Sequence, residues 1–315
     1  MNTAGLVGAL LPVFFVLALG YAAGKRNAFD ARQAAGLSKL ALGFALPASL
    51  FVSMTDIRRD LLLQQGSLVL ALILAHVGLF LAAWIVLRRL TALHDADAII
   101  CALLLATSAS PVFGIAVLEP LLGPTSSGTV GLVALAINLV MPLAIILLEM
   151  GNAGSKVSRV AQIKAGVKGG LQSPLLWAPV LGTLVVLVGL HIPKDIASAL
   201  EMIGSATSGV AVFTVGLTLA AHAFHLSKPV VLGTLGRITI QTAVLLALLE
   251  LLHVHGPFAR EALVCSSFPL ATAVVLFASR YKAMEAESAS MLLLSTVSLV
   301  VTVPVIVALT AAGNA

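Results

Sequence analysis

The chain has few charged residues, since Asp, Glu, Lys and Arg together make up 10% of its 315 positions. A soluble domain has about 25% of such residues, so this composition excludes an ordinary soluble protein. Hydrophobic residues reach 60%, and the mean hydropathy is +1.10. Because one membrane-spanning helix needs about twenty apolar residues, the length predicts roughly ten spans and no large soluble domain. The composition therefore predicts an all-α integral membrane protein.

Cysteine and enzyme motifs are also scarce. The only cysteines, Cys101 and Cys265, both lie in apolar runs, where we expect small core residues rather than a disulfide or a metal site. The sequence has no G-x-x-x-x-G-K-[ST] loop and no H-E-x-x-H motif, so neither ATP hydrolysis by this chain nor the commonest zinc-protease site is expected. No cofactor and no metal are predicted. The net charge of +5 comes from basic residues in short loops, which gives no reason to expect nucleic-acid binding.

Two apolar segments are interrupted by proline at matching places. One covers residues 98–118 and has TSAS directly before Pro111; the other covers residues 262–281 and has CSSF directly before Pro269. Proline has no backbone N–H and its ring clashes with the carbonyl four residues earlier, so each helix must open or kink there. In a bilayer an opened turn is stable only where protein or a water-filled cavity covers it. Such a pair of interrupted segments predicts the binding site of a transporter.

The chain divides into two halves with the same order of spans. The predicted spans cover about residues 5–23, 37–54, 67–87, 98–118, 128–150, 174–190, 196–220, 230–252, 262–281 and 289–311. Five spans per half give the halves opposite orientations, as an inverted repeat requires. Prolines recur in the same order at separations of 167, 158 and 162 residues: Pro12 with Pro179, Pro111 with Pro269, and Pro142 with Pro304. We therefore predict a first five-helix repeat over 1–150, a cytoplasmic linker over 151–170 and an inverted second repeat over 171–315.

Basic residues are distributed unequally between the two sides of the membrane. Of the eighteen Lys and Arg residues, thirteen lie in loops on the side of the long polar linker. Four lie on the other side, and Arg237 lies within the eighth span. Because cytoplasmic loops carry the excess of Lys and Arg, the linker is predicted to be cytoplasmic and both termini to lie outside.

The two ends of the chain carry extended motifs. These are LPVFFVLALGYAAGKRNAFD from Leu11, GLSKLALGFALPASLF from Gly36, and SFPLATAVVLFASRYKAMEAESASMLLLSTVSLVVTVP from Ser267. They resemble the auxin efflux carrier family, in particular its bacterial malonate-carrier branch, and the similarity covers essentially the whole chain. Family members usually have Asn directly after the proline of the fourth helix, whereas this chain has Val112, so one expected polar ligand is missing.

The resemblance implies a particular architecture. It implies ten helices in two inverted five-helix repeats, with broken helices four and nine crossing near their prolines. It also implies a scaffold of helices one, two, six and seven, often a homodimer, against which the other six helices move as an elevator. A location in the bacterial inner membrane follows from the same resemblance.

The crossover of the two broken helices is the predicted substrate site. Half-helix N-termini present partial positive charge and free N–H groups, which bind anions without a basic side chain. Hydroxyl groups beside the prolines add donors, although serine in membrane helices also serves close helix packing. The predicted site residues at the crossover are Ser108, Ser110, Pro111, Ser266, Ser267 and Pro269.

Three polar residues inside other spans complete the predicted site. Arg237 is positioned to pair with a substrate carboxylate, or to bind helix carbonyls as a structural residue. Gln241 lies one turn further along the same helix and is its plausible polar partner. Asn138 serves either as a ligand for an ion or substrate, or as a hydrogen-bond donor between helices.

The coupling ion is left open by the sequence. Neither interrupted segment contains Asp or Glu, which argues against the aspartate pair of sodium/proton antiporters and the glutamate-containing sodium site of bile-acid symporters. His76 could relay protons, but a neutral histidine bonded to a carbonyl is the favoured interpretation. Glu201 is either a coupling carboxylate or a residue facing water. Proton coupling, sodium coupling and potential-driven uniport all remain open.

The sequence hypothesis is a secondary carrier of the inner membrane for a small organic anion. A dicarboxylate such as malonate is the leading substrate, and an auxin-like acid, an amino acid or a bile-acid-like anion is the alternative. An intramembrane enzyme would need a nucleophile and a general base, for which Ser266 or Ser267 with His76 is the available pairing. A sensor would be expected to carry a soluble output domain.

Overall fold

The computed structural model describes residues 3–123, 126–151, 174–222 and 224–312, together with positions 160, 164, 168 and 172. The predicted linker over 151–170 therefore lies mostly outside the described residues. The described part consists of helices and short connections, without a β-strand. The α-helices, numbered in chain order, are α1 (Thr3–Lys25), α2 (Ala31–Leu40), α3 (Leu46–Thr55), α4 (Arg59–Gln64), α5 (Gly66–Ile73), α6 (Leu79–Leu90), α7 (Asp95–Ala106), α8 (Ser110–Leu122), α9 (Ser126–Gly151), α10 (Pro174–Val188), α11 (Lys194–Gly204), α12 (Ala206–Ala221), α13 (Lys228–Leu251), α14 (Pro257–Ser266), α15 (Thr272–Tyr281) and α16 (Glu285–Ala312).

The predicted fold class is confirmed. Seven helical stretches of the described residues are long and apolar enough to cross a membrane. Two shorter apolar helices, Leu10–Lys25 and Pro174–Val188, correspond to the first and sixth predicted spans. The protein is therefore an all-α, multi-pass membrane protein, and every predicted span coincides with helical structure.

The fourth and ninth spans are broken where the prolines predict. The fourth consists of α7 and α8, which are separated by residues 107–109. Pro111 lies in the first turn of α8, where its missing N–H has no helical partner to lose. The ninth consists of α14 and α15, which are separated by residues 267–271 that contain Pro269. Each span is thus a pair of half-helices joined by a few extended or irregular residues.

One group of helices packs closely through glycine. Helix α1 runs along α12, and α3 packs against α10 and α11. At Gly20 an added Cβ would lie 2.1 Å from the carbonyl oxygen of Phe213, and at Gly216 it would lie 2.3 Å from that of Leu17. Only residues without a side chain allow the two backbones to approach so closely. These helices form the first, second, sixth and seventh spans, which are the ones the family resemblance groups into a scaffold.

Two spans contain π-helical turns that the sequence analysis did not predict. Residues Ala41–Ala45 form the first turn, directly before α3, which has Pro47 in its first turn, and the N–H of Leu46 donates to the Ala41 carbonyl. The second turn, Leu74–Gly78, contains His76. A π-turn adds one residue within a helix and is frequent at functional sites. The second span also begins earlier than predicted, because Asp30 and Gln33 form a capping box at the start of α2.

Candidate functional site

The two helix breaks are in direct contact at the centre of the bundle. The N–H of Ala109, in the first break, donates to the carbonyl of Pro269 in the second at 2.7 Å. The hydroxyl of Ser110 donates to the carbonyl of Cys265 at 2.8 Å. Phe113 and Phe268 lie beside this contact with their ring centroids 6.5 Å apart. The broken helices therefore cross at their interruptions, and we call residues 107–111 and 265–272 the crossover.

Helix ends of both polarities meet at the crossover. Helices α8 and α15 begin there, while α7 and α14 end there. The first N–H groups of a helix have no partner within it and carry partial positive charge, and the last carbonyls carry partial negative charge. The crossover therefore offers backbone donors for an anion and acceptors for a cation or a donor group.

The predicted serines lie at the crossover and are fully buried. Ser108 and Ser110 form a hydroxyl–hydroxyl hydrogen bond of 2.5 Å. Ser266 and Ser267 donate to the carbonyls of the preceding helical turn at 2.6 Å each. Their exposed fractions do not exceed 2%. In this structure all four hydroxyls therefore bind protein groups and fasten the ends of the half-helices.

Arg237 joins the two breaks. Its Nε donates to the carbonyl of Thr107 at 3.2 Å. Its Nη2 donates to the carbonyls of Phe268 and Pro269 at 2.7 and 3.4 Å. The side chain is 1% exposed. Its remaining nitrogen, Nη1, is buried and has no hydrogen-bond partner. Carbonyl binding, one of the two roles predicted for Arg237, is thus present, and one donor of the guanidinium is still unused.

Gln241 and His76 adjoin this arginine. His76 Nδ1 lies 2.7 Å from the carbonyl of Ala106, the last residue of α7, and 3.3 Å from Nε2 of Gln241. The carbonyl can only accept, so Nδ1 carries the hydrogen, and the predicted neutral histidine bound to a carbonyl fits this geometry. Gln241 Oε1 is buried without a partner. An unused acceptor and the unused Arg237 donor thus lie one helical turn apart on α13.

The other two predicted polar residues make different contacts. Asn138 Nδ2 donates to the carbonyl of Ala134 on its own helix at 2.8 Å and to that of Leu175 on α10 at 3.3 Å. These are the bonds expected of a donor between helices. Glu201 is exposed and lines a cavity.

Two cavities lie between the glycine-packed helices and the broken helices. The larger, about 680 Å³, is lined by α3, α8, α9, α11 and α14 and has three carboxylates at its wall: Asp56, Glu119 and Glu201. Partial burial, and secondarily the charge of Glu201, raise the pKa of the Asp56 carboxyl above its usual value. The smaller, about 50 Å³, is lined by Val112 and Thr272, which follow the two breaks, and by the hydroxyls of Ser38, Thr214 and Thr218.

Sequence analysis missed one buried carboxylate. Glu261, on α14, is 5% exposed and accepts a hydrogen bond at Oε2 from the hydroxyl of Thr129 on α9. It lies one residue before the predicted ninth span, residues 262–281, and therefore outside every predicted span. The start of α14 at Pro257 places it on the same half-helix as Ser266.

Comparisons with known proteins agree with this architecture. A family model described as "Membrane transport protein" matches residues 6–307. The uncharacterized transporter YfdV of Escherichia coli strain K12 is 33% identical over 303 residues, which cover 95% of each chain. The YfdV proteins of Escherichia coli O157:H7 and Shigella flexneri match equally well. The broken, crossing helices and these matches together show that the chain belongs to this family of membrane transport proteins, the auxin efflux carriers.

Proposed function

We propose that this transporter is a secondary carrier that moves a small organic anion through the crossover, with a dicarboxylate such as malonate as the leading substrate. The observation that carries the proposal is the buried Nη1 of Arg237, a cationic donor without a partner where two half-helix N-termini meet. A substrate carboxylate is the group that such a donor binds best.

The charge balance of the crossover supports an anionic ligand. A guanidinium inside a membrane helix costs on the order of 3 kcal/mol on insertion scales. The three hydrogen bonds of Arg237 go to neutral carbonyls. The two ion pairs of the described residues, Arg58–Asp60 and Arg88–Asp95, do not include it. An incoming carboxylate would neutralise the charge, and the N-termini of α8 and α15 would add favourable dipoles.

The hydroxyl groups and Gln241 supply the neutral part of the proposed site. Ser108, Ser110, Ser266 and Ser267 lie at the crossover, and their hydroxyls can exchange a present acceptor in the protein for a substrate oxygen. Gln241 has a free amide oxygen on the same helix as Arg237. Asn138 remains a proposed ligand, although its present hydrogen bonds connect α9 with α10.

The proposed mechanism is alternating access of the elevator type. Both cavities lie along one boundary, with α2, α3, α11 and α12 on one side and α8, α9, α14 and α15 on the other. The crossover residue Thr272 and Val112, which directly follows the crossover in α8, border the smaller cavity. Movement of the broken helices along this boundary would expose the crossover to each side in turn. In this proposal the first, second, sixth and seventh spans form the scaffold of a homodimer in the bacterial inner membrane, with both termini outside.

Uptake of radiolabelled malonate into proteoliposomes tests the proposal. We expect saturable uptake that is lost in Arg237→Gln and reduced in Ser267→Ala, while Arg32→Gln, a change at an exposed arginine of α2, transports normally. Normal transport by Arg237→Gln would overturn the site. Absence of malonate uptake, together with thermal stabilisation by an auxin-like acid, an amino acid or a bile acid, would replace the substrate and keep the carrier.

A further inference from the structure

A carboxylate is buried on the first half of the ninth span. Glu261 lies on α14, between the cavity end of that helix and the crossover, and its side chain is 5% exposed. The hydroxyl of Thr129, itself fully buried on α9, donates to its Oε2. The anion-binding site proposed above uses neither residue. A charged carboxylate at such a position is costly, and in membrane transporters such groups mark ion and proton pathways.

The helices around Glu261 bring little positive charge to it. Helix α14 packs against α8, α9, α13 and α16. Arg260, the preceding residue, is the basic group that interacts with Glu261 electrostatically, and Cys265 lies one turn beyond it. The other titratable or charged residues on the described parts of these helices are Glu119, Glu149, Lys228, Arg237, Glu250, Glu285 and Glu287.

The larger cavity is lined by residues close in the chain to both Thr129 and Glu261. Ser127 and Gly128 line the cavity and directly precede Thr129 on α9. Phe258 also lines it and lies one turn before Glu261 on α14. Thr129 therefore directly follows a residue of the cavity wall, and Glu261 lies one helical turn from another. Water that enters the cavity would have a short route to the carboxylate.

We propose that Glu261 is the proton-carrying residue of this transporter, so that substrate movement is coupled to the pH gradient. The carboxylate takes one proton from cavity water and becomes a neutral acid, which costs less to keep buried while α14 moves; it returns the proton to water in the opposite conformation. A single carboxylate is sufficient to carry a proton, and the hydroxyl of Thr129 can donate to it in the ionised form. No group of three or more His, Cys, Asp or Glu in the described chain could hold a metal ion.

The first test does not depend on the substrate. Infrared difference spectra of the reconstituted protein are recorded over a pH series, and the C=O stretch of a protonated carboxylic acid is followed. We expect a band that is lost in Glu261→Gln and kept in Glu119→Gln, a matched change at the wall of the larger cavity. Thr129→Val keeps the acid and removes its hydrogen-bond donor, so it should shift the frequency of the band. A spectrum unchanged by both Glu261→Gln and Thr129→Val would overturn the proposal.

The second test measures coupling and rests on the proposed function, with malonate as the probe. In proteoliposomes that contain a pH-sensitive dye, malonate addition should cause proton movement with the wild type. Glu261→Gln should lose this signal and the accumulation driven by a pH gradient, but keep one-for-one malonate exchange. Unaltered gradient-driven accumulation in Glu261→Gln would overturn the proposal. If the wild type exchanges no malonate, the substrate assignment fails, and the infrared result still decides the role of Glu261.

Discussion

The N–H of Ala109 donates to the carbonyl of Pro269 across 2.7 Å, so the two broken helices are joined backbone to backbone. Arg237 and Ser110 add side-chain hydrogen bonds across the same junction. Each break thus supplies partners for main-chain groups that the other break leaves outside a helix. The crossover is therefore one structural unit, which packs the broken helices together and contains the proposed binding site.

Replacement of Arg237 should affect both stability and transport. Arg237→Gln leaves buried carbonyls without a donor, at about 1–3 kcal/mol each, and removes the unpaired Nη1. We expect a lower melting temperature and loss of anion uptake. Arg237→Lys keeps the charge but carries its donors on a single nitrogen. Uptake with a raised KM in this variant would show that the charge alone supports weak binding and that the planar fork of arginine supplies the rest. Equal uptake by both variants would contradict the binding role.

Removal of the Ser110 hydroxyl tests the bond between the half-helices. Ser110→Ala deletes its hydrogen bond to the Cys265 carbonyl and its contact with Ser108, which should cost about 1 kcal/mol of stability. Ser205→Ala is the matched control, because its exposed hydroxyl donates to the carbonyl of Met202, in the last turn of the preceding helix α11. Thermal unfolding in detergent measures both, and an equal effect of the two changes would contradict a special role for the crossover bond.

Close backbone packing predicts opposite effects of two Gly→Ala changes. Gly20→Ala places a Cβ against the Phe213 carbonyl and should destabilise the protein by about 1–3 kcal/mol or more through overpacking. Gly36→Ala, at an exposed position of α2 with nothing within 4 Å, should stabilise it by about 0.5–1 kcal/mol. Melting temperatures provide the comparison. If Gly20→Ala leaves the melting temperature unchanged, α1 and α12 can separate more easily than their packing indicates.

Asp56 should make stability depend on pH in a defined direction. Burial and Glu201 raise its pKa in the folded protein, so the folded state disfavours the ionised carboxylate. The resulting penalty is absent below the unfolded pKa near 3.8, grows as the pH rises towards the folded pKa, and is complete above it. Asp56→Asn should therefore raise the melting temperature at neutral pH and have no effect in strong acid. Glu201→Gln should raise the melting temperature at neutral pH by a smaller amount. A gain in melting temperature that is the same at every pH would contradict an origin in the ionisation of Asp56.

The positions of the breaks were predictable from the sequence because proline acts locally. Pro111 and Pro269 each exclude a helical hydrogen bond wherever the rest of the chain lies. The partners of the opened turns were not predictable, since 155 residues separate Ser110 from Cys265. For Arg237 the sequence allowed a carbonyl partner or a substrate carboxylate, and the carbonyl bonds are present while the carboxylate partner remains a proposal.

Other features depend on packing that no local pattern encodes. The Thr129–Glu261 hydrogen bond joins two helices that are remote in the chain. Glu261 lies one residue before the predicted ninth span, because the sequence does not show that α14 already begins at Pro257. The π-turn at His76 also has no compositional marker, since its residues are ordinary helix formers apart from Gly78. His76 and Arg237 contact the carbonyls of two consecutive residues, Ala106 and Thr107, at the end of α7.

The junction between the two breaks also constrains how the protein is made. During synthesis the fourth span enters the membrane long before the ninth has been translated. Until then the Ala109 N–H and the Thr107 carbonyl lack the partners that Pro269 and Arg237 later provide. The nascent first half must therefore keep this turn hydrated, or shielded by the insertion machinery, because lipid offers no substitute. Completion of the crossover is consequently a late event in biogenesis, and a chain truncated before the ninth span should be recognised and degraded as unfinished.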